Sequence, residues 1–242
     1  MDKIALITGG NRGLGFETAR QLALQGVHVI LGSRDASKGV AAALRLQSQG
    51  LAAEGLELSV TSSASIAAAV KQVERRHGRV DILINNAGIV AGSAGSPPSA
   101  QGVDVWRKIF ETNLFGLVEV TNAFLPLVKK SAAGRIVNLS SILGSIGTHA
   151  TPGSPIYDFK AVPAYSASKA AVNAWTVHLA YELKDTKIKV NAAHPGYVKT
   201  DMNHGEGEIE VGEGAKTSVE LALLGADGPT GSFFHLGQVL PW

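Results

Sequence analysis

The opening of the chain constrains its fold more than any other stretch. A short apolar run ends at Ile7 and passes into Thr8-Gly9-Gly10-Asn11-Arg12-Gly13-Leu14-Gly15. A helical pattern then begins at once, with Phe16, Ala19, Leu22 and Ala23 at helical spacing and Gly26 as its stop. A second apolar run follows from Val27 to Leu31. Strand, turn, helix and strand in this order are the setting that a phosphate-binding glycine turn requires. Gly9 can adopt a backbone conformation closed to other residues. Gly13 and Gly15, lacking side chains, let a pyrophosphate reach backbone N–H groups at a helix N-terminus. The spacing is Gly-x-x-x-Gly-x-Gly, not the commoner Gly-x-Gly-x-x-Gly.

The rest of the chain repeats the alternation. Strands are expected near 3–8, 27–32, 53–58, 80–85, 135–140, 187–193 and 232–235, and helices near 13–25, 36–49, 63–77, 103–130, 163–184 and 213–224. Continuous apolar strands between amphipathic helices indicate an α/β fold, a Rossmann-type doubly wound parallel sheet of about seven strands with helices on both faces. No linker divides the 242 residues, and 45% hydrophobic content supplies a sizeable core. One domain is therefore expected over 1–242, with a cofactor half to about 135 and a catalytic and substrate half beyond it. Residues 91–102 are a surface loop by composition.

A net charge of +2 gives no reason to expect nucleic acid or a membrane as partner. Arg75-Arg76-His77-Gly78 is a cationic helix end with a glycine stop. No cysteine is present, which excludes disulfide and thiolate chemistry. The first strand follows Met1-Asp2 directly, which leaves no room for a signal peptide, and a cytoplasmic location is expected. No metal site is expected.

Tyr165 and Lys169 lie four residues apart in Tyr165-Ser166-Ala167-Ser168-Lys169. On a helix this spacing puts phenol and ammonium on one face. A nearby cation favours the phenolate, lowering the tyrosine's pKa toward working pH. The pair is a candidate proton donor and acceptor for alcohol–carbonyl chemistry.

With these segments in view, the chain resembles a short-chain dehydrogenase/reductase over nearly its whole length. The glycine turn, Asn85-Asn86-Ala87-Gly88, Asn113 in Glu111-Thr112-Asn113-Leu114-Phe115-Gly116, Ser140-Ser141-Ile142-Leu143-Gly144, the Tyr165–Lys169 pair, and Pro195-Gly196 with Val198 and Thr200 follow the family's order. Within the family it most resembles the carbonyl reductases, through its Asn-Arg-Gly turn, Ser33-Arg34-Asp35, the run from Pro195 to Met202, and Trp242 at its end.

The resemblance implies a cofactor site formed by Gly9, Asn11, Arg12, Gly13, Leu14, Gly15, Ser33, Arg34, Ser59, Val60, Asn86, Ala87, Gly88, Tyr165, Lys169, Pro195, Gly196, Val198 and Thr200. Charge decides which dinucleotide: a 2′-phosphate calls for a cation past the second strand. Arg34 stands there, and Arg12 can reach the same group, so NADPH is expected. Asp35 is one step further on, where it can cap the next helix. Ser59-Val60 stands where many relatives carry an aspartate.

By resemblance, Tyr165 gives the proton, Lys169 stabilises the phenolate and grips the nicotinamide ribose, Ser141 orients the carbonyl, and Asn113 anchors a water chain. Ser141 is chosen over Ser140 because Gly144 then falls at the family's offset. His194 is read as positioning backbone and His149 as an exposed loop residue. The reading is an NADPH-dependent oxidoreductase that reduces ketones or aldehydes. The alternatives are a dedicated hydroxysteroid or 3-oxoacyl reductase, and a non-catalytic NADP(H) sensor.

Two departures bear on substrate access. The stretch between Ser141 and Tyr165 is longer than is usual in the family. Its excess, near 149–160, carries Tyr157 and Phe159 and is expected to pack over the pocket and against the helix bearing Tyr165. This bulk favours a monomer or dimer over a tetramer. The stretch from His204 to Gly214 is expected to be a short, flexible lid over an open pocket.

Overall fold

A computed structural model describes residues 2–92, 95 and 97–242. The expected loop at 91–102 lies in part outside the described residues, at 93, 94 and 96. The elements run β1 (Ile4–Thr8), α1 (Gly13–Leu24), β2 (His28–Ser33), α2 (Ala36–Gln47), β3 (Ala53–Glu57), α3 (Ser63–His77) and β4 (Ile82–Asn85). There follow α4 (Val103–Phe110), α5 (Gly116–Val128), β5 (Arg135–Leu139), α6 (Ile146–Ala150), α7 (Pro163–Glu182) and β6 (Lys189–Ala193). The chain closes with α8 (Val211–Gly214), α9 (Lys216–Ala222), β7 (Phe233–His235) and β8 (Gln238–Val239).

The described strands form an eight-stranded sheet in the order β3-β2-β1-β4-β5-β6-β7-β8, parallel except for the last pair. Alternate residues of each strand feed opposite layers. Ile4, Leu6, Ile30, Leu83 and Ile136 pack with Val73 of α3, Phe124 of α5 and Leu179 of α7. Ala5, Ile7, Val29, Leu31 and Ile84 pack with Leu22 of α1, Leu46 of α2 and Leu221 of α9. Both faces of the sheet are thus covered, which is why its strands are apolar without alternation. Strand order reverses between β1 and β4, and ligands of such sheets sit beyond the carboxyl ends of the strands at that point.

Three expectations need correction. The helix expected over 103–130 is broken by a π turn at Glu111–Phe115, which holds Asn113; π turns are often found at functional sites. The helix expected over 213–224 is two short ones, α8 and α9. The eighth strand comes from a two-residue hairpin at Leu236-Gly237, both with positive φ (44° and 75°). That turn type is signalled by Asn-Gly or Asp-Gly, and leucine at its first position hides it. Leu236 N–H donates to Thr217 Oγ1 at 2.9 Å, which helps to hold the turn.

Candidate active site

The glycine turn is built by a lash between β1 and β4. Thr8 Oγ1 accepts from the N–H groups of Asn86 (2.9 Å) and Ala87 (3.0 Å), and Asn86 Nδ2 donates to Thr8 O (2.8 Å). A Cβ on Gly15 would lie 2.5 Å from both Gly9 O and Asn86 Nδ2, so α1 can start this close to β4 only with glycine there. The amide of Asn86 is therefore spent on holding the turn.

The first turn of α1 differs from its neighbours. Asp35 caps α2 through Lys38 N–H, and Ser62 caps α3 through Ser65 N–H, but no side chain caps α1. Its leading N–H groups therefore have no side-chain acceptor at the positive end of the helix, as an anion site requires. The residues present therefore fit a pyrophosphate. Beyond β2, Ser33 is buried and its Oγ accepts from Asp35 N–H (3.3 Å), while Arg34 is exposed. Asp35 is occupied as a cap, which leaves Arg34 as the charge presented beyond this strand. Arg12 is paired with Asp201 at 3.0 Å, with both side chains largely exposed. Leu14 reaches toward α8, where a Cβ on Gly214 would meet its Cδ2 at 3.0 Å. Ser59 N–H donates to Ser65 Oγ (3.0 Å), and the carbonyl of Val60 closes on Gly116 at the start of α5.

At the next strand ends, five expected residues converge. Gly88 lies against Asn113 and Lys169: a Cβ there would sit 3.5 Å from Asn113 Oδ1 and 3.6 Å from Lys169 Nζ. Asn113 is fully buried in the π turn. Its Oδ1 accepts from Ile89 N–H (2.8 Å), and its Nδ2 donates to Ile89 O (3.0 Å) and Ser168 Oγ (3.0 Å). Lys169 is buried, its Nζ donates to Leu139 O at 2.6 Å, and it lies 5.6 Å from the centre of the Tyr165 ring. Tyr165 shares a hydrogen bond with Ser141.

The two serines are separated by their partners. Ser140 is 2% exposed and donates to Asn173 Oδ1 at 2.6 Å, so it is a framework residue. Ser141 accepts from Leu143 N–H (3.2 Å) at the head of a 3-10 turn. This turn lies so close to α7 that a Cβ on Gly144 would be 2.7 Å from the carbonyl carbon of Lys169.

The electrostatics correct one expectation. Burial pushes the Tyr165 phenol up to about 12, and only the hydrogen bond from Ser141 opposes it. Lys169 does not pull the phenol toward working pH here. Burial instead pushes its own ammonium down to about 8. At neutral pH the pair is a phenol beside a mostly charged ammonium, the protonation states of a proton donor and its support.

Past β6, His194 Nδ1 accepts from Ile142 N–H (3.2 Å) and Gly196 N–H (3.3 Å). Burial, with His235 adjacent, pushes its imidazole down to about 3. It positions backbone beside the serine turn and Pro195-Gly196, as expected. His149 differs from expectation: it lies in the short helix α6, half-buried, with Nε2 3.1 Å from Leu143 O.

The stretch 204–214 is also more ordered than its composition implies. Glu208 and Ile209 N–H groups donate to Tyr197 O (2.8 and 3.2 Å), and Lys199 N–H donates to Ile209 O (3.0 Å). Val198 is buried in this contact, and Glu210 pairs with Lys199 at 2.6 Å. Thr200 is drawn into a cap on Asp201–Asn203, its N–H donating to Asn203 Oδ1. In the stretch 149–160, Ile156 is buried while Tyr157 and Phe159 are exposed, so these two side chains are not buried against the helix bearing Tyr165 as expected.

A buried polar ladder beneath the site was not anticipated. Asn85 Nδ2 donates to Thr121 Oγ1 (2.8 Å) and Asn138 Oδ1 (2.9 Å), and Asn138 Nδ2 donates to Thr176 Oγ1 (2.9 Å). Its one sequence signal is an asparagine inside each of two apolar strands.

Comparison with known proteins places these features in context. The family pattern described as short chain dehydrogenase matches residues 3–210. A (+)-neomenthol dehydrogenase of Capsicum annuum is 33% identical, covering 98% of this chain and 96% of that one. The structure of salutaridine reductase from Papaver somniferum superposes with a TM-score of 0.83 at 30% identity, over 96% of this chain and 99% of that one. NADPH-bound carbonyl reductase from chicken fatty liver superposes with a TM-score of 0.85 at 27% identity, over 100% and 99% of the two chains.

Proposed function

The chain belongs to the short-chain dehydrogenase family, and on that premise we propose that it reduces ketone or aldehyde carbonyls to alcohols with NADPH as donor. The observation that carries the reading is the Ser141–Tyr165–Lys169 cluster beside Gly88, at the carboxyl ends of the strands.

The bound dinucleotide would supply a hydride to the carbonyl carbon. The N–H groups of Gly13, Leu14 and Gly15 would hold its pyrophosphate at the uncapped start of α1. Arg34 and Arg12 would face the 2′-phosphate, Arg12 giving up Asp201 to do so. Ser141 donates to the carbonyl oxygen and holds it against Tyr165. Tyr165 passes its proton to the oxygen as negative charge develops there, and the Lys169 ammonium stabilises the phenolate left behind. Asn113 has both amide hydrogens committed, to Ile89 O and Ser168 Oγ. Its part in returning a proton to Tyr165 therefore rests on its Oδ1 and on the carbonyl groups of the π turn. Exposed Tyr197 and Met202 give an apolar approach for a substrate. The bulk of residues 149–160 just before α7 favours a monomer or dimer; light scattering from a stable tetramer would overturn this.

The test is a panel of aliphatic, aromatic and cyclic carbonyls with purified protein and each reduced dinucleotide, followed by absorbance. Turnover of several substrates with NADPH well ahead of NADH is expected, and Arg34→Asp should reverse the preference. Equal rates with the two donors would refute the phosphate clamp. Turnover of a single substrate would mark a dedicated reductase. Tight NADPH binding with no turnover would mark a sensor.

A further inference from the structure

The amino-terminal edge of the sheet carries a second cluster with chemical potential, opposite the strand ends that hold Tyr165 and Ser141. We propose that His28, Glu54 and His77 form a binding site for a first-row divalent transition ion of the zinc type.

Topology brings the three together from distant sequence. His28 opens β2, Glu54 is the second residue of β3, and His77 is the last residue of α3. Glu54 pairs with Ile30 across the strands, and His28, two residues before Ile30, shares its face. Ile30 and Leu56 on that face are covered by α3, whose end delivers His77.

The donor atoms are spaced for one ion. His77 Nε2 is 2.6 Å from Glu54 Oε1, His28 Nε2 is 4.0 Å from the same oxygen, and all three lie within 4.8 Å of one another. Bond lengths of about 2.1 Å and tetrahedral angles put two zinc ligands about 3.4 Å apart, inside this range. The two imidazole rings are 5.1 Å apart and tilted by 48°. His28 Nε2 is buried and has no hydrogen-bond partner. A buried nitrogen left without a partner is costly, and an ion between it and Glu54 removes that cost.

The donor set selects the ion. Two imidazoles and one carboxylate suit zinc and its neighbours, whereas calcium and magnesium call for oxygen. The side chains keep 26%, 21% and 15% of their surfaces exposed, enough for entry of an ion and for a water as fourth ligand. Arg76 holds the other carboxylate oxygen of Glu54 at 2.8 Å. That fixes the carboxylate with Oε1 toward the histidines, at some cost in affinity from the nearby guanidinium. The carboxyl end of α3 directs its negative dipole end to the same place. An ion here would brace β2, β3 and α3 against each other without touching the reacting groups.

The test uses the full chain, stripped of metal by a chelator. Cobalt(II) serves as a visible-absorbing probe, followed by zinc in competition with a chromophoric chelator. One ion per chain is expected, with cobalt bands of four- or five-coordinate geometry that zinc abolishes. At a hundredfold excess of zinc over Kd, Tm should rise by roughly 5–10 °C. His28→Ala and His77→Gln should each weaken zinc at least about 10–100-fold, the loss typical of even an outer-shell partner. His28→Ala takes away an Nε2 that makes no hydrogen bond, so circular dichroism should report an intact fold. His178→Ala, an exposed residue of α7, should bind as wild type does. Absence of a saturable single site, or undiminished affinity in His28→Ala, overturns the proposal.

Discussion

Replacing Ser140 and Ser141 separately by alanine should divide stability from chemistry. Ser140 is 2% exposed, and its hydroxyl donates to Asn173 Oδ1 at 2.6 Å. Ser140→Ala leaves that buried oxygen without its donor, at a cost of about 1–3 kcal/mol. In a chain of this size each kcal/mol moves Tm by roughly 2–4 °C, so a fall of about 2–12 °C is expected. Its kcat/KM should stay within about fivefold of wild type, because the hydroxyl is bonded to Asn173, outside the reacting groups. Ser141→Ala removes a cap on Leu143 N–H in a short 3-10 turn, a loss below about 1 kcal/mol. It also removes the partner of Tyr165 and the donor aimed at the developing oxyanion. Loss of one such donor costs about 10²–10³ in kcat. The assay is loss of NADPH absorbance with a reactive carbonyl, paired with thermal unfolding of the same preparations. A slow Ser140→Ala enzyme beside a merely unstable Ser141→Ala enzyme would refute the assignment.

Tyr165→Phe should lower kcat by about 10²–10⁴ while NADPH affinity, read by fluorescence titration, stays near wild type; a loss under tenfold would sink the acid role. Lys169 titrates near 8 when folded, below its ordinary 10.5, so the unfolded chain holds this proton longer and stability through this group rises between those values. Activity should run the opposite way: kcat/KM falls above about pH 8 as the cation is lost, Lys169→Arg moves the fall upward, and a wild-type profile flat to pH 10 would contradict this. In the stretch before α7, Ile156→Ala should cost about 2–4 kcal/mol in denaturant unfolding. Tyr157→Ser with Phe159→Ser should stay within roughly 1 kcal/mol; equal losses would show that the aromatic side chains are packed after all.

The site was legible where chemistry depends on local pattern. The glycine turn announced a helix that no side chain caps and whose start beside Asn86 only glycine permits. The four-residue step from Tyr165 to Lys169 placed both on one helix, and the family's serine-to-glycine offset picked out Ser141 through Gly144, the residue at which the serine turn touches that helix. Asp35 was read as able to cap the next helix, and it does so through Lys38 N–H.

What sequence reading could not reach depends on contacts between distant residues. The phenol's pKa is governed by burial, which spacing does not encode, so Tyr165 rises where its neighbouring cation alone would lower it. The π turn at Asn113 is tied through that side chain to Ile89 and Ser168, and the order in 204–214 comes from backbone bonds to Tyr197 and Lys199. Exposed Tyr157 and Phe159 show that aromatic content does not say whether a loop's side chains are buried. His28, Glu54 and His77 form no motif; a parallel register and a helix end make them neighbours. Periodicity and turn chemistry, acting within a few residues, determined most of the elements, and family resemblance supplied the expected catalytic set. Packing across the sheet decided protonation, hydrogen-bond partners and which polar groups meet, because desolvation and side-chain geometry exist only once the layers have closed.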